Sequence, residues 1–303
     1  MFGAVAASTS LDQPGGLSRE DLPELYRKAS DYSKLGQRTN VALSAVQLVL
    51  LGGGAVLGAV DLRFSNGVHL GAIAAAVALC LALIPAAILT VRHPQRQWYL
   101  GRIFAESVKT FSWQYAVRAG TFSTVDDPDR RLSEEVGQLH ERFQQVPDLA
   151  QGSPLITGAM RALRAAPLDA RRTAYLDGRV EAGAHWYSGR AARYALAARW
   201  WSVLAIAATA IGLIFGLLNA FGVIVYDGLG AASAIAAAAT AWLQLKQYRP
   251  LGAAYLMAAR QLQSLRTPLT LARTEEEWAV AAAKAEEAIA SEHSMWLVRR
   301  EVS

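Results

Sequence analysis

Four apolar runs constrain this chain more than any other feature: residues 41–60, 68–91, 200–225 and 228–245. Each is close to the ~20 residues that a helix needs to cross a hydrocarbon core. None contains an aspartate, glutamate, lysine or arginine, and Asp227 falls in the turn between the third and fourth. A backbone in lipid must satisfy its own polar groups, so such runs are expected to be helical. Short polar turns, "DLRFSNG" and "YDG", pair the runs into two hairpins. The chain therefore reads as an all-α membrane protein: two tandem two-helix transmembrane hairpins, four transmembrane helices in all. A hydrophobic content of 53% fits that class.

The distribution of charge orients the hairpins. Of 30 lysines and arginines, only Arg63 lies in either short turn. Basic residues stay on the cytoplasmic side, so the turns are expected outside and both termini inside. The expected location is the bacterial inner (cell) membrane, as a multi-pass protein. The formal net charge of +5 then follows from topology and from anionic lipid, and nucleic acid is disfavoured as a partner. The opening residues lack a basic start followed by an apolar core, so 1–17 is expected to be a disordered tail rather than a cleaved signal.

Gly54 with Gly58, and Gly212 with Gly216, have the GxxxG spacing that lets helices approach closely in lipid. These four are the expected transmembrane packing residues, within a hairpin or between copies. The run at 228–245 is rich in alanine, a composition suited to the inside of a bundle. Ion-coupled transporters and voltage sensors need ionisable groups within the spans, and these spans have none in their cores. The polar side chains that could face a pore are Ser44, Gln47, Thr209, Asn219, Ser233 and Thr240.

The two halves run parallel. A Tyr-Ser pair on a basic helix precedes each hairpin, in "ASDYSKLGQR" and "HWYSGRAARY". An aromatic, basic helix follows each. The first unit is placed at 18–122, with spans at 41–60 and 68–91 and a cytoplasmic helix at 95–119. A cytoplasmic linker with short helices occupies 123–169. The second unit is placed at 170–303, with spans at 200–225 and 228–245 and cytoplasmic helices at 246–266 and 274–300. In the linker, "STVDDPD" is a loop, 132–146 a polar helix, and Ser153 with Pro154 a helix start. The stretch from Ala170 is expected to run unbroken into the third span. Trp278 and Trp296 are expected to pack on the same cytoplasmic helical bundle.

The segment "WYLGRIFAESVKTFSWQYA" places Trp98, Arg102, Glu106, Lys109 and Trp113 on one helical stripe. Leu100, Phe104, Val108, Phe111 and Tyr115 fall opposite. Tryptophans on the polar side imply a helix covered on both faces. The stripe is read as an inter-unit or inter-subunit junction, against a solvated ladder as the alternative.

No enzyme chemistry emerges. "GLGAAS" at Gly228 follows a membrane span and lacks the strand and acidic partner of a dinucleotide loop. The five histidines are scattered, and the single cysteine, Cys80, sits in an apolar run, so neither a metal nor a cofactor is expected.

Three long segments carry a resemblance: "WYLGRIFAESVKTFSWQYAVRAGTF", "AWLQLKQYRPLGAAYLMAARQL" and "EEAIASEHSMWLVRR". They resemble the SLATT family, two-transmembrane domains associated with SMODS nucleotidyltransferases and SLOG nucleotide sensors. The two halves resemble different subfamilies. The resemblance implies a membrane effector in bacterial conflict or anti-phage defence, acting as a homo-oligomer that forms a pore or disrupts the membrane. It also implies activation by a nucleotide signal or a sensor protein. The alternatives are a non-conducting membrane scaffold whose cytoplasmic helices recruit a partner, and a regulated ion channel.

Overall fold

The computed structural model describes residues 16–59, 69–147, 149–150, 152–224 and 228–301, with side chains to residue 290. The expected tail up to residue 15, the two turns with Arg63 and Asp227, and the Trp296 side chain lie outside these residues. Among the described residues the chain is helical and contains no β-strand.

Helices α1 (Glu24–Ala59) and α2 (Leu70–Arg92) form the first hairpin, followed by α3 (Pro94–Val117). Short helices α4 (Pro128–Arg142), α5 (Gly158–Ala165) and α6 (Leu168–Tyr175) come next. A π-helical segment, Leu176–Glu181, then leads into α7 (Ala182–Ala220). The second hairpin closes with α8 (Gly228–Lys246), before α9 (Tyr248–Leu271) and α10 (Glu275–Glu301). From Leu168 to Ala220 the helix is continuous for 53 residues, matching the expected unbroken entry to the third span. The repeat has a backbone signature as well. Each hairpin's second span ends in one left-handed residue, His93 (φ 43°) or Gln247 (φ 47°), and a new helix starts at once.

Two expected helix starts move. α4 begins at Pro128 rather than 132, because Asp127 accepts from the Arg130 amide (3.0 Å) and Pro128 takes the first helical position. α5 begins at Gly158, with Thr157 as its N-cap, not Ser153. Ser153 instead donates to Glu24 Oε2 (2.8 Å), a tertiary bond that a local cap signal cannot anticipate.

The chain divides into two units. The bundle unit comprises Met1–Leu35, Arg96–Gly189 and Tyr255–Ser303. α3 is its central helix. Phe104, Val108 and Tyr115 pack with Leu25 and Ala29 of α1, Leu132, Val136 and Leu139 of α4, and Met160 of α5. Trp113 and Val117 pack with Tyr175, Leu262 and Leu269, and with Trp278, Ala282 and Ile289 of α10. A helix flanked by two cores needs two apolar faces, and α3 supplies both. The C-terminal helix starts with a capping box: Thr274 Oγ1 accepts from the Glu277 amide, and Glu277 Oε2 from that of Thr274.

The apolar unit comprises Gly36–Gln95 and Arg190–Ala254. Its helices keep their apolar side chains on the outside. Only 11% of the most apolar window is buried in each of the first three candidate spans, and 17% in the fourth. Leu83, Val203 and Ile206 are more than half exposed. Helices buried in a soluble core would show the reverse pattern, so this exposure calls for an apolar solvent.

Candidate functional site

The stripe on α3 meets the second half of the chain. Arg102 is half-buried beside Glu106, Tyr187 and Tyr255. Burial disfavours its charge, but Tyr255, Tyr187 and Glu106 outweigh burial and hold its pKa above the ordinary guanidinium value. Glu106 also lies within electrostatic reach of Arg179, so it stands between two guanidinium groups. Two turns along, Trp113 is almost fully buried, its ring edge-on to Tyr175 at 5.6 Å.

Lys109 and Trp98 lie elsewhere. The Lys109 ammonium sits 5.9 Å above the Tyr26 ring, on the α1 side of the helix. Trp98 stacks on Tyr99 at 5.1 Å, and its carbonyl accepts a bond from Ser33 Oγ (2.9 Å). The structure thus brings Arg102, Glu106 and Trp113 to the second half and directs Lys109 and Trp98 to the first.

The centre of the arrangement is Glu286, which sequence reasoning missed. It is fully buried on α10, and Arg179 is 7% exposed. Arg179 holds it in a bidentate clasp, Nε to Oε1 at 2.9 Å and Nη2 to Oε2 at 2.8 Å. Tyr175 OH donates to Oε1 (2.9 Å) and Thr110 Oγ1 to Oε2 (2.9 Å). Burial first, then the Glu286 charge, pushes the Tyr175 phenol well above its usual range. The donor residues come from α3, the end of α6 and the π segment, so one carboxylate ties these elements to α10. A signal was present: Glu286 falls on the apolar stripe of α10, eight residues after the buried Trp278 and four after Ala282. Thr110 likewise continues the series from Arg102 and Glu106 at i+4 and i+8.

The π segment allows this. Its i to i+5 pattern brings residues four and five apart nearly into line, so Tyr175 and Arg179 reach the same oxygen. Gly178 lets the chain approach closely. A Cβ there would lie 2.8 Å from the Gly16 Cα and 3.3 Å from the Trp113 ring. The C-terminus of α3 is closed by later residues. The Val117 carbonyl accepts from Arg171 Nη1 (2.9 Å) and Trp278 Nε1 (2.8 Å), and the Tyr115 carbonyl from Arg164 Nη1 (2.7 Å). Cations there complement the helix dipole. Arg171 also pairs with Glu275.

In the apolar unit all four expected packing glycines face their own hairpin partner. A Cβ on Gly54 would lie 3.2 Å from the Ala78 Cβ, and one on Gly58 3.4 Å from Ala75. On Gly212 it would lie 3.2 Å from Ala232, and on Gly216 3.4 Å from Leu229. Of the polar residues, Ser44 is buried and Gln47 half-buried. Asn219 donates to the Ile224 carbonyl (3.3 Å) at the end of α7. Thr209 and Thr240 donate to the carbonyls four residues back, each at 2.8 Å. Ser233, Ala237 and Thr240 form an exposed small-residue stripe on α8.

An all-helical chain with four long, outward-facing apolar helices defines a multi-pass membrane protein. The chain belongs to the SLATT family, as two different domains in tandem. Residues 23–172 match the family model "SMODS and SLOG-associating 2TM effector domain 3". Residues 175–296 match "SMODS and SLOG-associating 2TM effector domain 1". No curated protein and no solved structure matches the chain. The boundary between the two domains falls immediately before Tyr175, so Thr110 comes from the first domain and Tyr175, Arg179 and Glu286 from the second.

Proposed function

We propose that this protein is a bacterial membrane effector that assembles as a homo-oligomer and opens a pore, or disrupts the inner membrane, in a conflict or anti-phage response. The family's effector domains support the general role. The observation that carries assembly is the α8 stripe of Ser233, Ala237 and Thr240, exposed at i, i+4 and i+7. Small residues with hydroxyls are the composition through which helices associate in lipid, because close backbone approach replaces the hydrophobic effect. Spans without ionisable groups suit a wide pore better than a coupled transporter. With four spans, the N- and C-terminal segments lie on one side, and the positive-inside rule makes that side cytoplasmic. The α3 stripe, with Arg102, Glu106 and Trp113, serves as the junction through which one SLATT domain senses the state of the other. A nucleotide signal or sensor protein acts on the cytoplasmic helices.

A second reading, a non-conducting scaffold, is favoured by the buried clasp on Glu286, which suits a rigid recruiting platform. Full-length protein in liposomes, assayed for ion flux with and without candidate nucleotide signals, separates the two. Signal-dependent flux is the expected result. No flux under any signal, with assembly intact, would refute the pore and leave the scaffold.

A further inference from the structure

The geometry points to a binding site for the phosphate headgroup of an anionic glycerophospholipid at the α8–α9 corner, built from Lys246, Arg249 and Ser202. This rests on the chain being a multi-pass membrane protein and not on conduction.

Three observations meet there. First, every acidic or basic side chain among the described residues of the apolar unit is basic, except for neutral histidines; no aspartate or glutamate occurs at 36–59, 69–95, 190–224 or 228–254. The described residues of the unit supply no counter-charge. Second, the left-handed Gln247 (φ 47°) interrupts the helix between Lys246 and Tyr248, and α9 runs on along α7, with Tyr248 against Tyr194. Arg249 Nη2 then donates to Ser202 Oγ (3.1 Å), which orients the exposed guanidinium. The Lys246 ammonium stands 5.3 Å over the Trp242 ring. Third, the floor is aromatic. Trp201 and Trp242 lie 5.8 Å apart, Tyr194 and Tyr248 5.4 Å, and the Arg190 guanidinium sits 5.6 Å over Tyr194. A Lys246 ammonium seated on an indole ring keeps its N–H donors for charge-assisted bonds to phosphate oxygens.

The ligand is a lipid rather than a soluble phosphate because of what adjoins the site. Val203, the residue after Ser202, is 57% exposed, and Ile206, one turn on, is 69% exposed. Trp200 is 68% exposed on the same turn. Cation, amphipathic indole and lipid-facing aliphatic side chains in this order match the boundary between headgroups and acyl chains. A phosphodiester bound by Lys246 and Arg249 would place its acyl chains along α7. Each basic group near an anionic surface is worth about fivefold in affinity, so removing both should weaken binding by about 25-fold.

The test uses full-length protein in non-ionic detergent, with lipid retention read by native mass spectrometry. The probes are dioctanoyl phosphatidylglycerol, dioctanoyl phosphatidylcholine and inorganic phosphate. Wild type should retain phosphatidylglycerol well over phosphatidylcholine, and phosphate at equal concentration should not displace it. K246Q/R249Q should lose that preference with helical content unchanged. K246R/R249K, which keeps both charges, should retain it, and Ser202→Ala should weaken it several-fold. Arg130→Gln, on the bundle unit, should have no effect. Equal retention of the two lipids, displacement by phosphate, or an unchanged preference in K246Q/R249Q would overturn the site. Should K246Q/R249Q not fold, an unchanged preference in Ser202→Ala would overturn it instead. None of these readouts depends on ion flux.

Discussion

Replacing Glu286 with glutamine should destabilise the bundle more than any surface change. Glu286 is fully buried and accepts from four donors: two Arg179 nitrogens, Tyr175 OH and Thr110 Oγ1. Glutamine keeps the shape, removes the charge and turns an acceptor into a donor. At least one donor then faces another donor, and the buried Arg179 guanidinium keeps Glu106 as a carboxylate within electrostatic reach but loses its bidentate partner. Removing one partner of a buried ion pair costs ~3–5 kcal/mol. For a unit the size of the bundle that corresponds to roughly 6–20 °C in apparent Tm. Differential scanning fluorimetry on detergent-purified protein reads the shift, and limited proteolysis should show cleavage between Leu271 and Glu275. The control is Arg130→Gln, which breaks an exposed i,i+4 pair with Glu134 (2.8 Å, side chains 75% and 44% exposed). Solvent screens that pair, so the control should leave Tm close to the wild-type value. A Glu286→Gln shift no larger than that of the control would refute the clasp as the element joining the two domains.

Alkaline pH should act through Tyr175. Burial and the Glu286 charge raise its folded-state pKa above the ordinary value of about 10. The folded state thus keeps a proton that the unfolded chain releases. That contribution is complete below pH ~10 and is lost as pH rises through the folded-state value; Tyr175→Phe should flatten this limb of a Tm–pH profile. Exchanging the α3 charges, Arg102→Glu with Glu106→Arg, should fail to rescue Glu106→Gln, since arginine at 106 would face Arg179. Recovery of Tm in the swap would mean that Arg102 and Glu106 are each other's main partners. In a Cys80→Ala background, cysteine at Asn66 should react with an impermeant maleimide added to intact cells, and cysteine at Ser123 should not. Labelling of Ser123 from outside would reverse the orientation.

What was legible in the sequence was whatever local chemistry or solvent dictates. Lipid demands long uncharged helices with internally bonded backbones, so the four spans follow from composition and length alone, and the unbroken entry to the third, expected from Ala170, begins at Leu168. The aromatic and apolar pattern of α3 likewise announced two covered faces. Tertiary structure decided which groups meet. Arg102 and Lys109 belong to one sequence stripe, yet one faces Tyr187 and Tyr255 and the other Tyr26. Ser153 has the local form of a helix cap but is drawn to Glu24. The decisive pairing joins Thr110, Tyr175 and Arg179 to Glu286, more than a hundred residues from each of them. Helical periodicity describes one helix at a time, and it carries no information about which buried stripe faces which. Only packing turns Glu286, and not its exposed neighbour Glu287, to the Arg179 guanidinium.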